Sequence, residues 1–137
     1  MATITTKLTI SSTTATGNEA LGLSINKETN VRPYNMSGIS HSIAEATSGS
    51  YQEIVASSAD VKYVYVSHTG KQGDGSTTST KVLSVELGGT DLLHLRTGEF
   101  AYFPLKASTT VKVKNISTGS ETIMVEYACW AQEVAGG

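Results

Sequence analysis

Apolar residues in this chain recur at every second position in short runs, and each run is cut by Gly, Asn, Asp or Ser before it reaches helical length. That period sends successive side chains to opposite faces of an extended backbone. An α/β fold would need amphipathic helical stretches of about 10 to 15 residues between the runs, and none is present. The pattern predicts an all-β protein, a single antiparallel β-sandwich or jelly-roll-like domain. A length of 137 residues suits one core that needs no metal or disulfide framework. Residues 1–12 read as an N-terminal arm or a first strand, and residues 13–137 as the sandwich domain.

Individual strands follow from the runs. Lys7 to Ile10 reads as a first strand, and Ala20 to Ile25 alternates Leu21, Leu23 and Ile25 with Gly22 and Ser24 before giving way to polar Asn26 to Asn30. Val31 to Tyr34 contains Pro33, which lacks a backbone donor and favours an edge strand or loop. Ile39 to Ala46 reads as a strand. Val61 to Ser67 carries apolar bulk on both faces, with Val61, Tyr63, Tyr65 and Ser67 opposite Lys62, Val64 and Val66, as an interior strand does. In Thr80 to Leu87 the set Lys81, Leu83, Val85 and Leu87 is expected to face the core. Asp91 to Leu95, Phe100 to Leu105, Thr110 to Asn115 and Thr122 to Trp130 complete the sheet. An internal echo, VKYVYVSHTG with TKVLSVEL and TVKVKNISTG with ETIMVEYA, reads as two hairpins, the first with a long mobile loop.

Charge and chemistry narrow the function. Ten Lys and Arg against twelve Asp and Glu leave net −2, which argues against a nucleic-acid footprint and a polybasic membrane surface. Charged residues make up 16%, against a usual share of about 25%. Ser and Thr together supply about a quarter of the chain, suiting strands with hydroxylated outer faces. The N-terminus MATITTKLTISS has no apolar signal segment, and no window approaches the roughly 18 apolar residues of a membrane-spanning helix, so synthesis and folding in the cytoplasm are expected. The sequons at Asn35 and Asn115 then read as turn chemistry. Cys129 is the one cysteine; it allows no internal bridge and reads as a small hydrophobe between Tyr127 and Trp130.

His41, His68 and His94 lie far apart and lack the spacing of a zinc site or the paired histidines of a cupin, so no metal or other cofactor is expected. The carboxylates Glu53, Asp60, Glu86, Asp91, Glu99 and Glu126 are scattered singly, and no two are nominated as an acid and base pair. Gly70 to Ser76 is glycine-rich but is neither a P-loop nor an EF-hand. No G-x-S-x-G elbow occurs. A non-enzymatic protein is the reading. The aromatics Tyr63, Tyr65, Phe100, Tyr102, Phe103, Tyr127 and Trp130 belong mostly to the core. Trp130 alternates away from Ile123, Val125, Tyr127 and Cys129, and is read as an interface anchor ahead of a sugar platform.

The stretch Leu95-Arg96-Thr97-Gly98-Glu99-Phe100, continuing to Phe103-Pro104-Leu105 and then to Val125-Glu126-Tyr127, resembles small tailed-bacteriophage virion proteins. A strand ends in a Leu-x-x-Gly-Glu turn, enters an aromatic strand closed by Pro-Leu, and finishes in a hairpin with Val-Glu-Tyr. The resemblance covers roughly Val61 to Trp130. It implies a β-sandwich subunit of a symmetric assembly, most plainly a capsid decoration or cement protein that bridges capsomers on the virion surface after assembly in the host cytoplasm. The implied partners are further copies of the chain, as a trimer, and the major capsid protein or another virion protein. Candidate interface residues are Thr3, Ile4 and Thr5 on the arm, which either adds to a neighbour's sheet edge or is an ordinary first strand, together with Tyr34, Tyr102 and Trp130. Alternatives are a tail, neck or fibre protein, a carbohydrate-binding adhesion module using Tyr34, Tyr51 and Trp130, and a cupin-like enzyme resting on the three histidines.

Overall fold

The computed structural model describes residues 2–11, 22–33 and 41–132. Among these residues ten strands follow one another: β1 Ala2–Ser11, β2 Gly22–Pro33, β3 Ser42–Ala46, β4 Gln52–Val55, β5 Val61–His68, β6 Leu83–Leu87, β7 Thr90–Leu95, β8 Phe100–Pro104, β9 Val111–Asn115 and β10 Ile123–Gln132. They form two antiparallel sheets packed as a β-sandwich, as the period-two pattern predicts. The first sheet runs β1-β2-β10-β5-β8, with β3 also paired to β10, and the second runs β4-β9-β6-β7. The long β10 is the spine of the first sheet. One of its edges is shared, with β3 along Ile123 to Tyr127 and β2 along Trp130 to Gln132, while β5 takes the other.

The core lies between the sheets. Val64 and Val66 of β5 with Ile123, Val125 and Cys129 of β10 meet Leu83 and Val85 of β6 and Val111 and Val113 of β9. β5 is an interior strand, flanked by β10 and β8, which explains its apolar bulk on both faces. Val61 departs from the expected alternation and joins the core rather than following Tyr63. Trp130 pairs with Tyr63 and Ala131 with Val61, so Lys62 is an extra residue, and such a bulge reverses the facing of everything beyond it. Lys81 is also not a core residue; it precedes β6 and reaches to 4.0 Å from Glu121.

The two echoed segments are not hairpins. β5 belongs to the first sheet and β6 to the second, and β9 and β10 are divided the same way, so each pair crosses the sandwich instead of pairing edge to edge. The segment between β5 and β6, read as a long mobile hairpin loop, is fastened at both ends. The Met124 N–H donates to the Lys71 carbonyl, the Gly73 N–H to Thr122 Oγ1, and Ser79 Oγ to Glu121. Fully buried His68 anchors its start: Nδ1 accepts from the Gly70 N–H at 3.0 Å, which leaves Nε2 to donate to the Lys81 carbonyl at 2.8 Å. Gly70 is required here, because its φ is +79° and a Cβ would stand 3.1 Å from the Thr97 methyl.

The region from Gly22 to Pro33 is one unbroken strand, where the sequence suggested a break after Ile25 and an edge strand or loop at Pro33. β1 and β2 pair along their whole described length, from Ala2 with Val31 to Ser11 with Gly22. Backbone pairing, not apolar alternation, carries the strand through Asn26 to Asn30. Among the described residues, Val31, Arg32 and Pro33 are those of this two-stranded ribbon that pair with the rest of the sheet.

Candidate interaction surface

The outer faces of the two sheets differ. On the second sheet the outward row is charged: exposed Glu53 pairs with half-buried Lys112, and Lys112 with half-buried Glu86, across three strands. Beside them Ser84 Oγ donates to Asp91 at 2.7 Å, and His94 Nε2 lies 2.9 Å from the other Asp91 oxygen. A serine, an aspartate and a histidine in contact invite comparison with a hydrolytic triad. The order is wrong for one, because the carboxylate stands between hydroxyl and imidazole, and a nucleophile needs the imidazole next to the hydroxyl. Here the Ser84 hydroxyl, and after it His94, hold the Asp91 carboxyl below its ordinary range. The three residues brace β6 against β7.

The first sheet turns an aromatic face outward. Trp130 and Ala128 of β10, Tyr63 and Tyr65 of β5 and Tyr102 of β8 lie in register across it, with Val31 and Ile4 from the ribbon packed against them. Tyr63 and Tyr102 stack with centroids 6.2 Å apart and planes 2° from parallel. Trp130 does lie on the face opposite Ile123, Val125 and Cys129. It is only 8% exposed, however, so it is not the open stacking platform that a sugar-binding reading requires. Its indole Nε1 is buried without a hydrogen-bond partner. Further along the face Tyr65 donates to Glu126 at 3.1 Å, and His41 lies 3.4 Å from the other Glu126 oxygen. Burial is the main cause that raises the Tyr65 phenol above its usual range.

Of the residues singled out in the sequence, Ile4, Tyr102 and Trp130 come together in this cluster. Thr3 and Thr5 fall on the other face of the ribbon, where Thr3 Oγ1 donates to Asn30 at 3.2 Å. Tyr34 lies outside the described residues, as does Asn35. Asn115 is buried, and its amide is engaged in the following turn, donating to the Glu121 carbonyl and accepting from the Ser117 N–H. Tyr51 is half-buried beneath the Lys114 ammonium. The three histidines have separate partners, and no three His, Cys, Asp or Glu side chains group as a metal site among the described residues. No described helix is long and apolar enough to cross a membrane.

No protein-family model matches the chain. No curated protein matches it either.

Sequence reasoning did not find several of the exposed apolar residues. Leu8 pairs with Ile25 and Ile10 with Leu23, so the four share one face of the ribbon, each 39% to 46% exposed. Phe100 at the start of β8 is 63% exposed and Leu92 in β7 is 59% exposed. Leu92 is turned outward at a bulge, since Val85 pairs with Leu93 and Glu86 with Asp91, leaving Leu92 without an opposite number. The alternation of Leu21, Leu23 and Ile25 was the available signal for the ribbon. Nothing local to Leu92 announces a bulge.

Proposed function

We propose that the chain is a non-enzymatic virion structural protein, a head decoration or cement subunit that stabilises a capsid by bridging capsomers. The observation that carries this reading is the β1–β2 ribbon, which among the described residues pairs with the rest of the sheet through three residues and exposes Leu8, Ile10, Leu23 and Ile25 on one face. A two-stranded ribbon in water is marginal by itself, and a one-sided apolar ribbon completes its packing against a neighbour. The resemblance of Val61 to Trp130 to phage virion proteins supplies the setting: the capsid surface, with the major capsid protein and further copies of the chain as partners. A subunit that binds only the assembled lattice stabilises it by mass action.

The test is co-sedimentation of purified protein with phage capsids that lack it and, in parallel, with isolated tails. Saturable binding to heads is the expected result. Binding to tails alone would move the protein to the tail, and binding to neither would reject the virion reading.

A further inference from the structure

The ribbon's exposed face has a counterpart on the same molecule. Where β8 closes one edge of the first sheet and β7 one edge of the second, the sandwich mouth opens into a groove of about 590 Å³. Its walls are Leu87, Leu92 and Leu93 on one side and Phe100, Tyr102 and Pro104 on the other, with Thr6 to Leu8 of the ribbon along its rim. The two residues that protrude most, Leu92 and Phe100, flank it. Ile4 seats the base of the ribbon on the Trp130 cluster and Leu8 reaches the groove, whereas Ile10, Leu23 and Ile25 remain 40% to 46% exposed.

From this geometry we infer that the groove receives the ribbon of a second copy of this chain, with Ile10, Leu23 and Ile25 of one protomer packing between Leu92 and Phe100 of its partner. This inference rests on the assembly reading above and names the contact by which copies associate. Three observations select a second copy as the occupant. The donor and the acceptor surfaces are both present on one chain, as self-association requires. Neither carries a carboxylate; the charges on them, Lys7 on the groove rim and Lys27 opposite Thr6 on the ribbon, are long side chains that can swing aside to water. The areas also match. In a two-fold pair, where each copy both gives its ribbon and receives its partner's, Ile10, Leu23, Ile25, Leu92 and Phe100 of one chain expose roughly 450 Å² of apolar surface by side-chain size, close to the ~450 Å² of apolar area on one side of a standard interface of about 800 Å² a partner. The partner's residues complete a groove that one chain leaves open.

Light scattering over a dilution series of the full chain, without particles, tests the contact. The wild-type protein is expected to be a discrete oligomer. A ribbon variant carrying Ile10→Lys and Leu23→Lys and a groove variant carrying Leu92→Lys and Phe100→Lys should each associate at least roughly tenfold more weakly while keeping the wild-type circular dichroism spectrum. Mixing two different broken surfaces still leaves one intact ribbon facing one intact groove, so a ribbon variant whose own groove is sound should recover association with a groove variant whose ribbon is sound. Wild-type protein that stays monomeric up to ~100 μM, or that inserts its ribbon into neutral lipid vesicles instead, would overturn the inference. So would variants that keep the wild-type mass, or a mixture that shows no recovery. Particle co-sedimentation separates the two claims: a monomer that saturates capsids defeats the ribbon contact and leaves the virion reading standing, and an oligomer that ignores every particle does the reverse.

Discussion

Asp74 caps the turn between β5 and β6 as an acceptor for the Thr77 hydroxyl, first, and for the Ser76 and Thr77 N–H groups, which together lower its carboxyl from 3.8 to about 2. A carboxylate whose folded value is depressed lends its stabilisation fully above the unfolded value, and that stabilisation is lost as pH falls through the folded one. The turn is therefore expected to hold at pH 5 and to loosen between about pH 4 and pH 2. The Asp74 carboxyl resonance followed by NMR should titrate near 2, together with loss of protection at the Ser76 and Thr77 amides; a midpoint near 4 would refute the capping role. Trp130 gives a second prediction. Trp130→Ala should destabilise the protein by about 3–5 kcal/mol, because it empties the centre of the aromatic cluster. Trp130→Phe should cost much less, since a phenyl ring refills most of that space while, as in the alanine variant, a buried N–H without an acceptor, a defect worth about 1–3 kcal/mol, is removed. Urea unfolding of both variants measures the difference, and equal losses would show that ring packing at this position contributes nothing.

At the scale of elements, the ribbon and the sandwich differ in how they are held. β5 and β10 have neighbours on both edges and side chains in the core, whereas among the described residues β1 has β2 alone beside it. Amide exchange in dilute protein should therefore be fast for Thr5 to Ser11 and slow for Val64, Val66 and Val125; uniform protection across both would contradict this division. The same contrast marks what could be read from sequence. The facing of β10 and of β5 from Tyr63 onward was legible, because residues packed between two sheets must alternate, whereas the bulge that turns Val61 into the core was not. Four-residue β4 was not, since two buried residues, Ile54 and Val55, side by side show no alternation. Nor was the crossing from β5 to β6, because a turn between paired strands and a turn between sheets use the same residues. Leu23 and Ile25 showed their periodicity, but their pairing with Ile10 and Leu8 is a long-range fact. His68 carried no local sign that it would be buried as a bracket between Gly70 and Lys81.

For the whole molecule, self-association through the ribbon ties folding to concentration. Association of folded chains stabilises them by mass action, so the midpoint of thermal unfolding should rise as protein is concentrated and should stop rising in the Ile10→Lys, Leu23→Lys variant. Scanning calorimetry at several concentrations reads this directly, and a midpoint independent of concentration in the wild type would refute it. The two outer faces add a constraint of another kind. One presents the Glu53, Lys112 and Glu86 row to water, and the other presents Tyr65 and Phe100 with the ribbon folded beside them. Seated by its aromatic side, the subunit keeps its hydrated charges uppermost; turned over, it would bury ions and leave rings in solvent. The protein therefore has an up and a down before it meets any surface.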